Sequence, residues 1–310
     1  MLIKNLNCCL LAASLFLLPI FCTAQDGFTE EEQAELDALD AFLTDVDSAS
    51  MISLLDSLVK LDDLENRSQL ALKLGYNSES IIDNRESLGT ENGLFSGITY
   101  YHKSGLFLDV ISFWNSQFEP KNYLTTTSIG YLGTIGKKWS VLASYEHYFF
   151  NENAESEEIE FPFTDGLNAS VYFVEKYFEL GADYTIIFGD TFKSHKLNYS
   201  VTGNFTFKNV PLADRLTLRP AVALLWGNQI FTRLKVDKRF INPRKRFSFV
   251  DENVFGLMNI GFILPAYLQF NSLNVGLSYQ FNLPQELDGE DLAYTNSNVF
   301  NLSLSYFIKL

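Results

Sequence analysis

The side chains able to carry acid–base, nucleophilic or metal chemistry are few and scattered. There are three histidines, His102, His147 and His195, and three cysteines, Cys8, Cys9 and Cys22. All three cysteines fall in the first 24 residues, so no thiolate chemistry and no disulfide is expected in the rest of the chain. His147 shares a parity with Trp139, Val141, Ala143 and Tyr145, and His195 with Leu197 and Tyr199; His102 sits beside a short turn. None has an Asp, Ser or Asn at a spacing that demands a catalytic triad or dyad. No metal-ligand cluster and no phosphate-cradling glycine loop occurs, so no metal or other cofactor is expected, and the chain does not read as an enzyme.

The remaining charged groups fall into three sets. Lys73, Asp109, Glu146, Glu179, Asp183, Lys208 and Arg219 lie singly on the polar parity of apolar–polar alternations. Such residues form ion pairs inside a closed barrel or line its pore, and both signs are present. Residues 227–250 are basic, with Arg233, Lys235, Lys238, Arg239, Arg244, Lys245 and Arg246 against Asp237 alone. Residues 151–166 are acidic, with Glu152, Glu155, Glu157, Glu158, Glu160 and Asp165 and no base. Both read as external loops. They are solvated, or pair with each other, or bind: lipopolysaccharide phosphate for the basic loop, a divalent cation or a partner for the acidic one.

What must position these groups is a set of strands. From residue 67 onward the hydropathy period is 2. Leu273, Val275, Leu277, Tyr279 and Phe281 alternate with Asn274, Gly276, Ser278, Gln280 and Asn282. Leu197, Tyr199, Val201, Phe205 and Phe207 alternate with Asn198, Ser200, Thr202, Asn204 and Thr206. In the last segment Phe300, Leu302, Leu304, Tyr306, Ile308 and Leu310 share one parity, while Phe307 falls on the other with Asn301, Ser303, Ser305 and Lys309. About twelve strands of roughly 9–11 residues or more follow, long enough to cross a bilayer when tilted.

The connections alternate in length. Short ones cover 103–105, 135–138, 176–177, 209–214 and 271–272; long ones cover 77–93, 115–121, 150–166, 189–195, 227–255 and 283–297. An even strand number then puts both termini on the short-turn side. Short periplasmic turns and long external loops are the arrangement of barrels in the outer membrane, where closure leaves no strand edge unpaired in lipid.

Ahead of the strands lie two further segments. Residues 1–24 have a basic Lys4, an apolar stretch from Cys9 to Phe21 and small residues before Gln25, and read as a secretory signal peptide. Residues 25–66 hold thirteen acids and one base, out of a formal net charge of −15 for the whole chain. Leu36, Leu39, Phe42, Leu43 and Val46, then Met51, Leu54, Leu55 and Leu58, recur at helical spacing. This segment reads as an acidic amphipathic helical arm, hanging in the periplasm or plugging the lumen. The acidic balance excludes a general nucleic-acid binder.

Residues 67–310 resemble the superfamily of bacterial outer-membrane β-barrels, most specifically in the C-terminal strand that culminates in Tyr306, Ile308 and Leu310, and the aromatic-rich strands look like those of Bacteroidota. Many relatives end in Phe where this chain has Leu310. The resemblance implies an all-β, antiparallel, up-and-down transmembrane barrel in the cell outer membrane. Its surroundings would be lipid and lipopolysaccharide, with a protein partner in the periplasm or membrane as a further expectation. The His-then-Ser-Asn pattern of outer-membrane phospholipases and the Asp-x-His of omptin-like proteases are absent. The expected function is a small-solute diffusion channel. The alternative is a non-conducting subunit of a larger outer-membrane complex, docking through the arm or the external loops; an outer-membrane hydrolase ranks below both.

Overall fold

A computed structural model describes residues 68–78, 81–82, 86–87, 92–115, 121–151, 163–189, 193–211, 213–237, 246–287 and 294–310. The expected signal peptide and acidic helical arm lie outside the described residues. Within them the structure is strand and turn, without helix.

The strands are β1 (Gln69–Asn77), β2 (Ile81–Ile82), β3 (Glu86–Ser87), β4 (Gly93–Tyr101), β5 (Leu106–Asn115), β6 (Asn122–Ile135), β7 (Trp139–Phe150) and β8 (Asp165–Val174). They continue as β9 (Phe178–Phe188), β10 (Lys193–Gly203), β11 (Phe205–Val210), β12 (Ala213–Leu218), β13 (Ala221–Asp237), β14 (Arg246–Phe270), β15 (Leu273–Pro284) and β16 (Ser297–Lys309). Apart from the small β2–β3 ladder, all pair antiparallel in one sheet of 14 strands.

Closure is made by β1 against β16, in register from Gln69↔Lys309 to Asn77↔Asn301. The C-terminal strand thus lies beside the first one, and Leu310 N–H donates to the Ser68 carbonyl at 3.0 Å. Two pairs of strands are single staves with a break. The β10–β13 register runs on unchanged into β11–β12, with Gly203 N–H donating to the Pro220 carbonyl at 2.7 Å between them. Pro220 has no N–H to give, which interrupts the ladder there. The barrel therefore has twelve antiparallel staves.

One expected boundary is wrong. Residues 227–255, anticipated as a loop, are mostly strand: β13 runs to Asp237 and β14 starts at Arg246, paired throughout. The other neighbours stop earlier, at Lys196↔Gly227 on one side and Asn259↔Pro284 on the other. The hairpin therefore projects as a two-stranded ribbon beyond the rim at the long-loop end. Charged residues alternating with Ile, Val and Phe make a strand as readily in water as in lipid, so charge alone misplaces the boundary.

The alternation sorts into two faces. Leu72, Leu74, Leu94, Ile98, Leu106, Leu108, Val110 and Ile129 face out and are each at least 41% exposed. The outward belt continues with Val171, Leu180, Val201, Val222, Leu264, Leu277 and Leu304 around the circumference. An apolar surface of that extent is stable only against hydrocarbon. The opposite parity is buried and largely polar: Gln69, Lys73, Asn77, Thr99, Asp109, Ser140, Ser144, Asn274, Asn282, Asn301 and Ser305. This inverts a soluble barrel.

Candidate functional site: the barrel lumen

The lumen has three levels. At the short-turn end, Ala71, Tyr101, Leu132, Leu142 and Phe307 form one buried apolar cluster with Phe107 packed against it. These six come from β16, β1, β4, β5, β6 and β7, which are consecutive staves. They make an apolar half-ring on one wall. The facing wall at this level carries the buried pair Arg219 Nη2–Glu179 Oε1, 2.8 Å apart.

The middle level is a belt of hydrogen-bonded polar groups. Lys73 Nζ lies 3.7 Å from Asp109 Oδ1, and the Thr99 hydroxyl donates to the same carboxylate. Glu146 accepts from the Tyr148 hydroxyl at 3.0 Å and from Asn168 Nδ2 at 3.2 Å. Asp183 accepts from the Tyr172 hydroxyl and from Asn198 Nδ2 at 3.3 Å. Towards the long-loop end of β15 the hydrogen bonding continues, where Asn282 accepts from Gln280 Nε2 at 2.8 Å and Asn259 Nδ2 at 3.0 Å and donates to Ser297 Oγ at 3.2 Å. Each buried carboxylate thus has donors, as a charge removed from bulk water requires.

At the long-loop end the inward groups include aromatic rings beside the buried polar Asn77, Asn115 and Ser194. Phe163, fully buried just before β8, stands edge-on to Tyr148 and Phe150 with ring centroids 5.2 and 5.3 Å away. Phe95 and Phe113 pair at 6.2 Å.

Several rings lie along the wall instead of pointing at the axis. A Cβ built on Gly75 would fall 2.0 Å from the Phe95 ring, one on Gly181 2.9 Å from Tyr172, and one on Gly276 3.3 Å from Tyr267. An inward glycine opposite an aromatic gives the ring a flat seat across the strand pair. The alternation marks these glycines as lumen-facing, but which ring covers which glycine depends on cross-strand register.

The sequence-derived candidates are distributed as follows. Lys73, Asp109, Glu179 and Arg219 are buried on the inward parity, and Glu146 and Asp183 are inward and partly buried. Lys208 departs from the expectation: it is exposed on β11, beyond the break at Asn204. The β11–β12 hairpin extends past the turn before β9, so β11 pairs with β12 alone and Lys208 stands at the rim. Arg233 and Lys235 lie on β13 and Arg246 on β14, in strand and not in a loop. Lys238, Arg239, Arg244 and Lys245 lie outside the described residues, as do Glu152, Glu155, Glu157, Glu158 and Glu160. Asp165 opens β8 instead of ending a loop.

Asp165 also reveals contacts that linear spacing hides. It is paired across the sheet with His147, whose Nδ1 is 2.8 Å from Asp165 Oδ1. The Tyr145 hydroxyl donates to the same oxygen, and Thr164 Oγ1 donates to Oδ2 at 2.5 Å. A comparable pair on the next staves joins the Tyr184 hydroxyl to His195 Nδ1 at 2.7 Å. Both groups are on the outward parity near the long-loop rim, where amphipathic rings mark a membrane–water boundary. Their hydroxyl partners are a tyrosine or a threonine already engaged with the carboxylate or the ring, which is an anchoring arrangement more than a nucleophilic one.

A closed antiparallel barrel with an apolar exterior and a polar interior is a transmembrane barrel of the outer-membrane type. No family model and no curated protein matches the chain. Solved structures of similar architecture include the KdgM porin, at 8% identity and a TM-score of 0.43, covering 76% of this chain and 98% of that one. An outer membrane channel from Pseudomonas putida F1 is 9% identical with a TM-score of 0.43, covering 78% and 96%. LpxR from Salmonella typhimurium is 11% identical with a TM-score of 0.42, covering 77% and 100%. At these identities and scores the likeness is one of architecture.

Proposed function

We propose that the protein is a diffusion channel for small polar solutes in the bacterial outer membrane, with its short turns and both ends of the barrel sequence in the periplasm. One observation carries the reading. The inward face of a closed barrel of twelve staves is lined by polar groups hydrogen-bonded along the wall, with rings laid over glycines. Eight staves are filled by their own side chains, whereas sixteen leave an aqueous channel. Twelve staves with wall-hugging side chains leave room for a narrow path. Cations and anions alternate along it, through Lys73 with Asp109 and Arg219 with Glu179, which supports a pore of weak charge preference.

Planar-bilayer recording of the purified, inserted protein tests this reading. Discrete openings are expected, and well-inserted protein that never opens, under any voltage, excludes it.

A second reading is a subunit of a larger outer-membrane assembly. It is favoured by the β13–β14 ribbon, whose two outer edges are free of strand partners beyond Gly227 and before Asn259 among the described strands. Such edges accept an added strand. Purification in mild detergent should then recover a stoichiometric partner that is lost when the ribbon is shortened; a monomer in both preparations counts against it.

A further inference from the structure

One wall of the lumen is built without charge. Between Asn259 and Tyr267 on β14, Asn274 and Asn282 on β15, and Ser297 and Phe307 on β16, the inward parity holds only amides, hydroxyls, glycines and apolar groups. The inward carboxylates Asp109, Glu146, Glu179 and Asp183 stand elsewhere, on β5, β7 and β9. Along the uncharged wall the polar groups follow one another as a track. Asn301 Nδ2 donates to Ser278 Oγ at 3.3 Å, and Asn77 lies opposite Asn301 across β1 and β16. Further along β15 come Gln280 and Asn282, and Asn259 joins Asn282 from β14. From Ser278 to Asn282 the strand rises about 13 Å.

Three acceptors on this track lack a donor. Asn77 Oδ1, Asn259 Oδ1 and Asn301 Oδ1 are buried without a hydrogen-bond partner, on residues 3%, 2% and 4% exposed. The other such atoms among the described residues are a ring nitrogen of His195 and a guanidinium nitrogen of Arg219, so every orphaned carbonyl oxygen lies on this wall. A carbonyl withdrawn from water without a donor is costly, and a purely structural lining avoids it. Turning the amides does not remove the cost. Asn259 Nδ2 is committed to Asn282, whose oxygen already accepts twice. Turning Asn301 over exchanges an orphaned acceptor for an orphaned donor.

We infer that the track is a binding site for an uncharged oligosaccharide, whose hydroxyls supply the donors that Asn77, Asn259 and Asn301 lack. The inference deepens the channel reading and rests on it for passage, though not for binding. A sugar hydroxyl both donates and accepts, which matches carbonyl oxygens set beside the partly exposed hydroxyls of Ser278 and Ser303. A cation finds no carboxylate on these staves, and an anion meets the negative ends of amide dipoles. There is room for a solute beside the amides. Gly93, across from Asn77 on β4, has no side chain to cover it. A Cβ built on Gly261 would meet nothing nearer than Asn282 Oδ1 at 3.7 Å, with Ala223 Cβ and Asn259 Nδ2 at 3.9 Å. The Asn301–Ser278 bond is long, so the amide gives up little in turning to an entering hydroxyl. Acceptors repeated along the wall serve a chain of sugar units better than a single one.

Saturation-transfer NMR of the full chain in detergent micelles tests binding apart from conduction. Maltotriose, cellotriose and raffinose are the neutral trisaccharides; trigalacturonate and the trimer of glucosamine are the charged ones. At least one neutral sugar should bind. Asn77→Leu combined with Asn301→Leu should raise its dissociation constant about tenfold or more, as expected for one or two lost hydrogen bonds. Asn298→Leu, exposed on the outward parity of the same strand, should leave it unchanged. Asn77→Leu alone should weaken binding without lowering the urea-unfolding midpoint, because it removes an orphaned acceptor; a merely structural Asn77 gives the reverse. Asn77→Ala stands in if the larger side chain blocks folding. Binding by none of the neutral sugars, binding by the charged ones alone, or binding indifferent to Asn77 and Asn301 overturns the inference. Bilayer recording separates it from the channel reading. Openings that the bound sugar interrupts support both. Sugar binding in a barrel that never opens keeps the site and excludes the channel. Openings in a barrel that binds no neutral sugar keep the channel and exclude the site.

Discussion

Arg219 and Glu179 are 40 residues apart in sequence and 2.8 Å apart in the lumen, with both side chains nearly sealed from solvent. Removing one partner of such a pair strands the other charge. Arg219→Met or Glu179→Gln is expected to destabilise the barrel by about 3–5 kcal/mol. The double substitution should recover most of that loss. Urea-unfolding midpoints in detergent or liposomes check it, and a double variant as unstable as the sum of the singles would show that the pair is not coupled.

The turn glycines separate two causes of intolerance. Gly105 and Gly136 both have positive φ, 90° and 70°. A Cβ at Gly105 would lie 2.2 Å from the Leu132 carbonyl oxygen, which is backbone and cannot move away cheaply; a Cβ at Gly136 meets nothing within 4 Å. Gly136→Ala should cost about 1 kcal/mol from conformation alone. Gly105→Ala should cost clearly more and slow barrel assembly, as read by the rate at which the heat-modifiable form appears.

Most of the architecture was legible because a barrel wall has period 2 and nothing else competes with it. The alternation of Leu273–Phe281 or of Phe300–Leu310 suffices to set inside from outside. It fails where the surroundings change and the pattern does not. Residues of β13 and β14 alternate beyond the membrane as they do within it, so the ribbon looked like a loop only because it is charged. Phe307 reads as an irregularity on the polar parity, yet it is part of the apolar half-ring, whose other members are on five other staves. The His147–Asp165 contact spans 18 residues and depends on where β8 starts, which local spacing does not encode.

Charge preference follows from the Lys73–Asp109 pair. If solutes pass this level, Lys73→Gln leaves Asp109 without its cation and should shift selectivity toward cations, about twofold in permeability ratio, while Asp109→Asn shifts it the other way. Reversal potentials in a salt gradient measure both. Identical potentials for the two variants would place the conducting path elsewhere.

The flat seating of the aromatic rings predicts a steric control of conductance. Gly75 and Phe95 face each other across β1 and β4, and the three atoms nearest a Cβ on Gly75 all belong to the Phe95 ring, the closest at 2.0 Å. Unlike Gly105, this site opposes a side chain and not backbone, so Gly75→Ala can be accommodated by turning Phe95 off the wall. The ring then leaves its contact with Phe113, 6.2 Å away between centroids, and swings toward the axis. The variant should insert and migrate as a folded barrel, with stability lowered by about 1–3 kcal/mol for the overpacked wall. Its open-channel current should fall. Gly75→Ala combined with Phe95→Ala removes the displaced ring, and its open-channel current should return to the original value or exceed it. If the current is unchanged in Gly75→Ala and rises in Phe95→Ala alone, the ring already obstructs the path in the native barrel, and the glycine seat has no role in keeping it clear.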